Sequence, residues 1–294
     1  MKFEGIGTHW YINIYDDIST SRFEIIKNKI STLVVNFENN YSRFIDSSLI
    51  SILNKDKKLT EVSDELIEII DLANKAKEVT SGHFDITVGS VLEGMGYDSK
   101  YSFESKEINF NDSRNIDING RVITLGKNTM IDIGGIGKGY LIDKVKQLII
   151  TNGIKYFFIN AGGDIYATSN YDKSIEFALE NPFNLKEMIG KISIKNMSIA
   201  SSSNSRRSWY TKNTNQKYAH LIDMETKKTV TYVSGVYTYA NTSVNSDISS
   251  TCFFVSPKEL DDKISKQYLS EYLIVYSDKT IKKSSNYPAT IFLT

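Results

Sequence analysis

The sequence predicts an α+β protein, a single compact mixed α/β unit whose strands and helices form two closely associated lobes. Two long segments carry apolar residues at helical spacing. Several shorter segments either alternate between apolar and polar residues or are continuously apolar, as is typical of strands. The chain has 294 residues with only 3 prolines, no Ser/Pro-rich linker and no internal repeat. We therefore expect one domain over residues 1–294.

Local patterns predict the elements of the first half. The N-terminal residues read as a strand, and helical spacing of apolar residues predicts amphipathic helices over 22–38 and 64–79. Alternating runs on both sides of Asn119-Gly120 predict a β-hairpin over 116–125.

The second half opens with a short apolar run at 131–133, which passes through glycines into a helix predicted over 140–150. A strand at 155–159 follows. The remaining predicted elements are strands at 174–179, 189–195 and 230–239 and helices at 247–255 and 258–270.

Composition excludes several classes of function. Lys+Arg and Asp+Glu number 35 each, so no overall field draws the chain to nucleic acid or anionic lipid. No apolar stretch reaches the length of a membrane span, and the first residues lack a signal peptide's pattern. This predicts a cytoplasmic protein, or an exported or anchored one if a leader was removed. The one cysteine, Cys252, excludes an internal disulfide framework.

Residues 132–139 (DIGGIGKG), here called the glycine loop, favour an anion site. Glycines let main-chain N–H groups approach an anion, and Lys138 adds positive charge at a helix start. The spacing is neither that of a P-loop nor that of a Rossmann fingerprint. A second glycine turn, NAGGD at 160–164, predicts a ligand cleft shared by both loops. The alternative for the glycine loop is a connector that packs a strand against a helix, and the alternative for the second turn is a plain turn.

Asp247 and Thr251 lie four residues apart at a predicted helix start, so their oxygens share one face. Hard oxygen ligands suit Mg²⁺, which keeps several waters and binds substrate phosphates. The alternative is a Ser/Thr-rich helix entry with Ser246 or Asp247 as the N-cap.

The chain has three histidines. His220 lies in a strand-like segment, and a histidine can act as a base near neutral pH. We expect His9 and His83 to lie in apolar or aromatic surroundings, and a lone histidine is more often structural. The pattern of residues alone therefore leaves the role of His220 open.

Seven motifs follow one another along nearly the whole chain, and together they resemble the FAD:protein FMN transferase family, the ApbE-like flavin transferases. The motifs are Gly7-Thr8, YSRF at 41–44 with SLISILN at 48–54, GHFDITVG at 82–89, the glycine loop with Tyr140 and Asp143, NAGGD at 160–164, HLID at 220–223, and Asp247 with Thr251. Each motif is weak alone, and their collinear order carries the resemblance.

The resemblance implies a flavin transfer. FAD is cleaved at its pyrophosphate, FMN joins a Thr or Ser hydroxyl of an acceptor protein as a phosphoester, and AMP leaves. It also implies Mg²⁺, because an anionic diphosphate repels an incoming oxygen nucleophile. The implied metal ligands are Asp247, Thr251 and the main-chain carbonyl of Gly135, with Ser250 as a further oxygen. The implied flavin and adenine contacts are Ile6, Phe44, His83, Phe84, Asp85, Asp132, Lys138 and Leu221. His220 is the expected base for the hydroxyl proton, with Asp247 able to share that task.

The chain departs from the family pattern at five positions. Ser203 and Lys227 stand where glycine is usual, Ser90 and Met224 where proline is usual, and Met95 where tryptophan is common. A lysine in place of glycine is costly if φ is positive at that position.

Two alternative functions follow. Water in place of the acceptor hydroxyl would give a Mg²⁺-dependent FAD pyrophosphatase that yields FMN and AMP. The altered loops around 203 and 224–227 motivate a flavin-binding protein without turnover.

Overall fold

The computed structural model describes residues 1–106, 115–169 and 174–292. Its α-helices are α1 (Thr20–Tyr41), α2 (Leu49–Asp56), α3 (Asp64–Val79), α4 (Gly89–Gly94), α5 (Gly137–Thr151), α6 (Ser243–Val255) and α7 (Asp261–Tyr268). Its strands are β1 (Lys2–Gly5), β2 (Thr8–Ile14), β3 (Lys58–Thr60), β4 (Ile116–Asn119), β5 (Val122–Leu125), β6 (Phe157–Ala161), β7 (Asp164–Thr168), β8 (Ile175–Asn181), β9 (Asn184–Ile194), β10 (Met197–Ser203), β11 (Ser208–Tyr210), β12 (Lys217–Ala219), β13 (Ile222–Asp223), β14 (Lys228–Thr229), β15 (Val233–Ala240), β16 (Glu271–Tyr276), β17 (Ile281–Lys283) and β18 (Ala289–Ile291).

An eight-stranded antiparallel sheet organises the protein, in the order β1-β2-β6-β7-β10-β15-β16-β17. Strands from both ends of the chain therefore share one sheet. Because side chains alternate between the faces of a strand, β16 contributes to two apolar clusters. Leu273 and Val275 belong to one cluster, and Tyr272 and Ile274 belong to the other.

The two faces of this sheet are covered differently. Apolar residues of α1, α3, α5 and α6 pack in one cluster with residues of β2, β6 and β15. On the other face, the small sheet β18-β9-β8 packs against β7, β10, β15 and β16. Apolar burial on both faces stabilises the layers and fixes the ends of β7 and β10 next to α5 and α6.

Helices α1 and α3 confirm the two predicted amphipathic helices. Each begins after a serine cap: Ser19 accepts a hydrogen bond from the Arg22 amide and Ser63 from the Leu66 amide. The predicted apolar positions of α3 are buried, namely Leu66, Ile69, Ile70, Ala73 and Ala76.

The predicted start of the helix that carries Asp247 is wrong. The N-cap of α6 is Thr242, whose hydroxyl accepts a hydrogen bond from the Asn245 amide at 3.3 Å. Neither Ser246 nor Asp247 caps the helix, and Asp247 lies in its second turn. The alternative of a simple helix entry at 246–247 is therefore excluded.

Three other boundaries also differ from the prediction. Residues 131–133 form no strand, and α5 begins at Gly137, inside the predicted loop. The helix predicted over 258–270 is divided into a 3₁₀ helix, Lys258–Leu260, and α7.

The predicted hairpin over 116–125 is confirmed by β4 and β5, with Gly120 at φ +58° in the turn. The strand predicted at 155–159 lies two residues later as β6, and those at 174–179, 189–195 and 230–239 correspond to β8, β9 and β15. Across residues 1–106, 115–169 and 174–292, every helix is too short or too polar for a bilayer span.

Candidate active site

The glycine loop lies directly against α6. A Cβ atom on Gly139 would lie 2.6 Å from the Cβ of Asp247 and would overlap the Ser243 carbonyl, so only glycine fits. A Cβ on Gly135 would lie 3.4 Å from the Thr251 methyl group. The structure thus brings Gly135 alongside the helix face that carries Asp247 and Thr251.

Most described amides of the loop already have partners. Those that donate within the protein are Asp132 to the Ile86 carbonyl, Gly134 to the Asp132 carboxylate, Ile136 and Gly137 to the Ile133 carbonyl, and Gly139 to the Asp247 carboxylate. These amides are therefore not free for an anion, and an anion site built on the other amides of the loop stays a prediction. The glycines serve close packing between α5 and α6, and the positive charge at the site comes from Lys138.

Lys138 bridges two buried carboxylates. Its ammonium lies 2.6 Å from Asp164 Oδ2 and 2.9 Å from Asp247 Oδ1, whose side chains are 2% and 3% exposed. Burial lowers the pKa of Lys138, but both carboxylates more than offset this, so the pKa is raised and the ammonium persists. We call Lys138, Asp164 and Asp247 the charged end of the site.

Asp164 enters this site from the second glycine turn. Gly162 and Gly163 have φ values of +66° and +103°, and the Asn160 side chain accepts a hydrogen bond from the Gly163 amide at 2.9 Å. Asp164 Oδ1 accepts from the Ser201 amide at 3.2 Å. The turn therefore does more than reverse the chain, since it places a carboxylate beside the glycine loop.

The oxygen atoms around α6 are of the type that Mg²⁺ prefers as ligands. Among the described residues, no group of three or more His, Cys, Asp or Glu side chains forms a metal cluster. A metal here would use Asp247 together with hydroxyl and main-chain oxygens, which Mg²⁺ accepts. The Ser250 hydroxyl is fully buried, donates to the Asp247 carbonyl at 2.9 Å and lies 2.8 Å from the Ser202 hydroxyl. Ser250 as a further ligand stays a prediction, because a hydroxyl that donates its proton still has lone pairs on its oxygen.

His220 has a defined tautomer. Its Nδ1 lies 3.2 Å from the Arg207 carbonyl, which can only accept, so Nδ1 carries the proton and Nε2 is a free base. Burial, and then the Arg207 charge, lower the pKa of His220 to about 4. The charges of Lys138 and Asp132 also act on this pKa, so the imidazole lies within reach of the charged end.

His83 and Asp85 are engaged by polar partners. His83 Nδ1 donates to Asp223 Oδ1 at 2.7 Å, and Asp85 lies 2.9 Å from the Lys77 ammonium. The expectation that His83 lies in apolar surroundings is therefore wrong. His9 departs further from that expectation, because its ring is 61% exposed and faces Glu4.

An aromatic group is linked to the start of the glycine loop through Arg43. Phe44 stacks on Tyr101 at 5.2 Å between ring centroids, and Tyr97 stacks on Trp209 at 5.0 Å. Arg43 covers the Phe44 ring at 4.2 Å and forms a buried ion pair with Asp132. We call Phe44, Tyr97, Tyr101 and Trp209 the aromatic end.

Phe84 and the remaining predicted contacts lie around the same loops. A Cβ on Gly135 would lie 3.0 Å from the Phe84 ring. Ile6 has a φ of +48° in the β1–β2 turn, and Arg207 donates to the neighbouring Gly7 carbonyl at 3.3 Å. Leu221 follows His220 and is buried in the main core.

The departures from the family pattern have distinct structural consequences. Lys227 has a φ of +56°, the conformation in which a side chain is costly, whereas Ser203 lies in an ordinary strand opposite Gly235. Met95 and Met224 are buried with Trp209 in one cluster. The Ser90 hydroxyl donates to the Asn128 carbonyl at 2.8 Å and accepts from the Met130 amide at 2.8 Å.

Sequence reasoning missed several site residues. Those without an assigned role were Arg43, Asp164, Arg207, Asp223 and the aromatic residues Tyr97, Tyr101 and Trp209. Arg43, Asp164 and Asp223 lie inside the motifs at 41–44, 160–164 and 220–223, so a charged residue within each motif was the available signal. Arg207 and the aromatic residues had no such signal.

Comparisons with known proteins identify the family of this chain. The model of the ApbE family matches residues 6–273. Two relatives named "FAD:protein FMN transferase" come from Haemophilus influenzae, 25% identical over 96% of this chain and 88% of that protein, and from Buchnera aphidicola, 26% identical over 84% and 76%.

Solved structures share the fold. The ApbE protein of Thermotoga maritima aligns with a TM-score of 0.86 at 22% identity, covering 98% of this chain and 97% of that one. The flavin transferase ApbE of Vibrio cholerae aligns with a TM-score of 0.79 at 19% identity, with the same coverage of 98% and 97%.

Proposed function

The chain belongs to the ApbE family, and from this we propose that it is a Mg²⁺-dependent FAD:protein FMN transferase. Relatives that align with most of the chain carry that name, without Mg²⁺ in it. In the proposed reaction FAD is cleaved at its pyrophosphate, FMN is joined to a Thr or Ser of an acceptor protein, and AMP leaves. We take residues 1–294 as one catalytic domain.

One observation carries the proposal. The glycine loop is in contact with α6, so Gly135 lies beside Thr251 while Lys138 and Asp247 form an ion pair. A cation and hard oxygen atoms are thereby held in one place by regular secondary structure. This is the chemistry that a dinucleotide's bridging phosphates require.

Asp247 Oδ1, the Thr251 hydroxyl and the Gly135 carbonyl are the groups that would hold Mg²⁺. Bound there, the ion would neutralise negative charge on the pyrophosphate oxygens. Lys138 adds a permanent positive charge beside them, because its pKa is raised by the two carboxylates. The Gly139 amide keeps the Asp247 carboxylate oriented, since it donates to Oδ2 at 2.8 Å.

His220 is the proposed general base. The acceptor hydroxyl oxygen forms a bond to the phosphorus of the FMN half while the bond to the AMP oxygen breaks. The hydroxyl proton passes to His220 Nε2, which is unprotonated because Nδ1 donates to the Arg207 carbonyl. Asp247 is occupied by Lys138 and Gly139, which favours His220 over Asp247 for this task.

The aromatic end is the proposed surface for the flavin or adenine ring. Phe44 has Arg43 on one side and a stacked Tyr101 near it, so flat rings already lie parallel there. Aromatic faces bind flat heterocycles by offset stacking. Ile6, Phe84 and Leu221 contribute apolar contacts at the margin of the site.

The test is a transfer assay with FAD, Mg²⁺ and a peptide that bears an acceptor Thr. The expected result is AMP release together with a covalent flavin on the peptide, seen as a mass increase and in-gel fluorescence. Omission of Mg²⁺ and the His220→Gln variant serve as controls.

The same assay separates the alternatives. FMN and AMP formed at equal rates with and without peptide, and no covalent product, would identify a FAD pyrophosphatase. Bound FAD without AMP release would identify a flavin-binding protein. Either outcome contradicts the proposed transferase.

A further inference from the structure

Lys138 occupies the carboxylate oxygen that the proposed metal needs. Asp247 Oδ2 accepts from the Gly139 amide at 2.8 Å, and Oδ1 lies 2.9 Å from the Lys138 ammonium. A divalent cation on Oδ1 would repel an ammonium at that distance. Lys138 must therefore have another partner when the metal is bound.

Asp164 is already that partner. Its Oδ2 lies 2.6 Å from the Lys138 ammonium, closer than the Asp247 oxygen. Its other oxygen accepts from the Ser201 amide, so the carboxylate is fixed independently of Lys138. The lysine needs only a small movement of its flexible stem to pair with Asp164 alone.

Because both carboxylates are buried, Lys138 must pair with Asp164 alone once the metal binds Asp247. The side chains of Asp164 and Asp247 are 2% and 3% exposed, so neither carboxylate tolerates the loss of all positive partners. With the metal absent, Lys138 serves both carboxylates. With the metal present, Asp247 is neutralised by the metal and Asp164 by Lys138.

We propose that Asp164 is a positioning residue that draws Lys138 away from Asp247 when a divalent cation binds. The inference rests on the proposed function, because it assumes a metal at Asp247. It assigns Asp164 a role through Lys138, without requiring Asp164 to touch the metal or FAD.

The test is a double-mutant cycle on Mg²⁺ affinity, measured by calorimetric titration of the FAD-free protein with Mg²⁺ alone. Asp164→Asn is expected to weaken binding at least about tenfold in the wild-type background, because Lys138 then stays on Asp247. In the Lys138→Met background the same change is expected to weaken binding less than about threefold. Lys138→Met alone is expected to tighten binding, since a competing cation is gone.

Asp261→Asn is the matched control. The Asp261 side chain is as buried as that of Asp164 and pairs with Lys282 at 2.6 Å, and no described contact joins it to the charged end, so Mg²⁺ affinity should not change. Equal weakening by Asp164→Asn in both backgrounds would overturn the proposal, because it would mean that Asp164 acts by its own charge or as a ligand.

If Asp164→Asn does not fold, Lys138→Met still decides, and weaker Mg²⁺ binding in that variant would overturn the proposal. Failure of the wild-type protein to bind Mg²⁺ would overturn the metal-dependent function as well. A third result is that the wild-type protein binds Mg²⁺, that Asp247→Ala abolishes this binding, and that the effects in the double-mutant cycle are additive. That result would overturn only the role of Asp164 and would leave the metal site in place.

Discussion

The charged end and the aromatic end of the site are built in opposite ways. Lys138 and Asp247 lie on helices and Asp164 begins a strand of the central sheet, so all three have fixed backbones. Tyr97 and Tyr101 lie outside helices and strands, and Tyr101 has a φ of +50°. From this difference we expect the charged end to govern the rate of the proposed reaction and the aromatic end to govern the affinity for FAD.

The largest expected effect is at the charged end. Asp247→Ala should lower Mg²⁺-dependent AMP release more than about 10³-fold, because it removes the only carboxylate of the proposed ligand set. The measurement is initial rate against Mg²⁺ concentration, with Asp261→Asn as the folded control. Wild-type rates in Asp247→Ala would contradict the role of the charged end in the reaction.

His220→Gln should reduce transfer by roughly 10² to 10⁴-fold while the FAD dissociation constant changes less than about twofold. The glutamine keeps a polar group of similar size but cannot accept the proton. Single-turnover rates and FAD fluorescence titration give the two values. Equal losses of rate and affinity would make His220 a wall of the pocket rather than a base.

Substitutions at the aromatic end should change the affinity for FAD. Phe44→Ala should weaken FAD binding about three- to tenfold, as expected for the loss of one stacking partner, and leave kcat nearly unchanged. Steady-state kinetics in FAD separates KM from kcat. A fall in kcat without a rise in KM would contradict the division between the two ends.

The pH profile sharpens the assignment of His220. Its pKa is lowered to about 4, first by burial and then by Arg207, so the neutral form is already complete at pH 6. The value of kcat/KM should therefore stay level from pH 7 to about 5 and decline as the pH falls towards 4. Arg207→Gln should raise the pKa and move that decline upwards. An acid limb near 6.5 in the wild-type protein would contradict this environment.

The smallest effect concerns a residue outside both ends. Lys227 has a φ of +56°, and Lys227→Gly should stabilise the protein by about 0.5–1 kcal/mol because glycine adopts this conformation freely. Denaturant unfolding measures the change. No stabilisation would show that contacts of the lysine offset the backbone strain.

The sequence predicted what short-range patterns determine. Helix α3 and the hairpin of β4 and β5 match the prediction because their signals, a serine cap and an Asn-Gly turn, lie within the elements. Helix α6 was placed four residues late because its face is buried almost all round, including Ser243, Ser246 and Ser249, which hides the helical period.

The candidate site was predicted only in part, for a related reason. Asp247 and Thr251 were singled out by their spacing and Gly135 by the resemblance, and the structure places Gly135 beside the helix that carries the other two. The ion pairs Arg43–Asp132 and Lys138–Asp164 join residues that lie far apart along the chain. The local sequence around each residue does not predict which residue it pairs with. The sequence does not show which amides of the glycine loop are free to bind an anion, because several of them have internal acceptors only in the folded chain.

The most direct test of the central claim is anomalous diffraction from crystals soaked with Mn²⁺ and an FAD analogue that resists cleavage. We expect an anomalous peak within coordinating distance of Asp247 Oδ1, the Thr251 hydroxyl and the Gly135 carbonyl, with the analogue's phosphates next to it. A metal peak at another place, or phosphates bound away from Lys138, would contradict it.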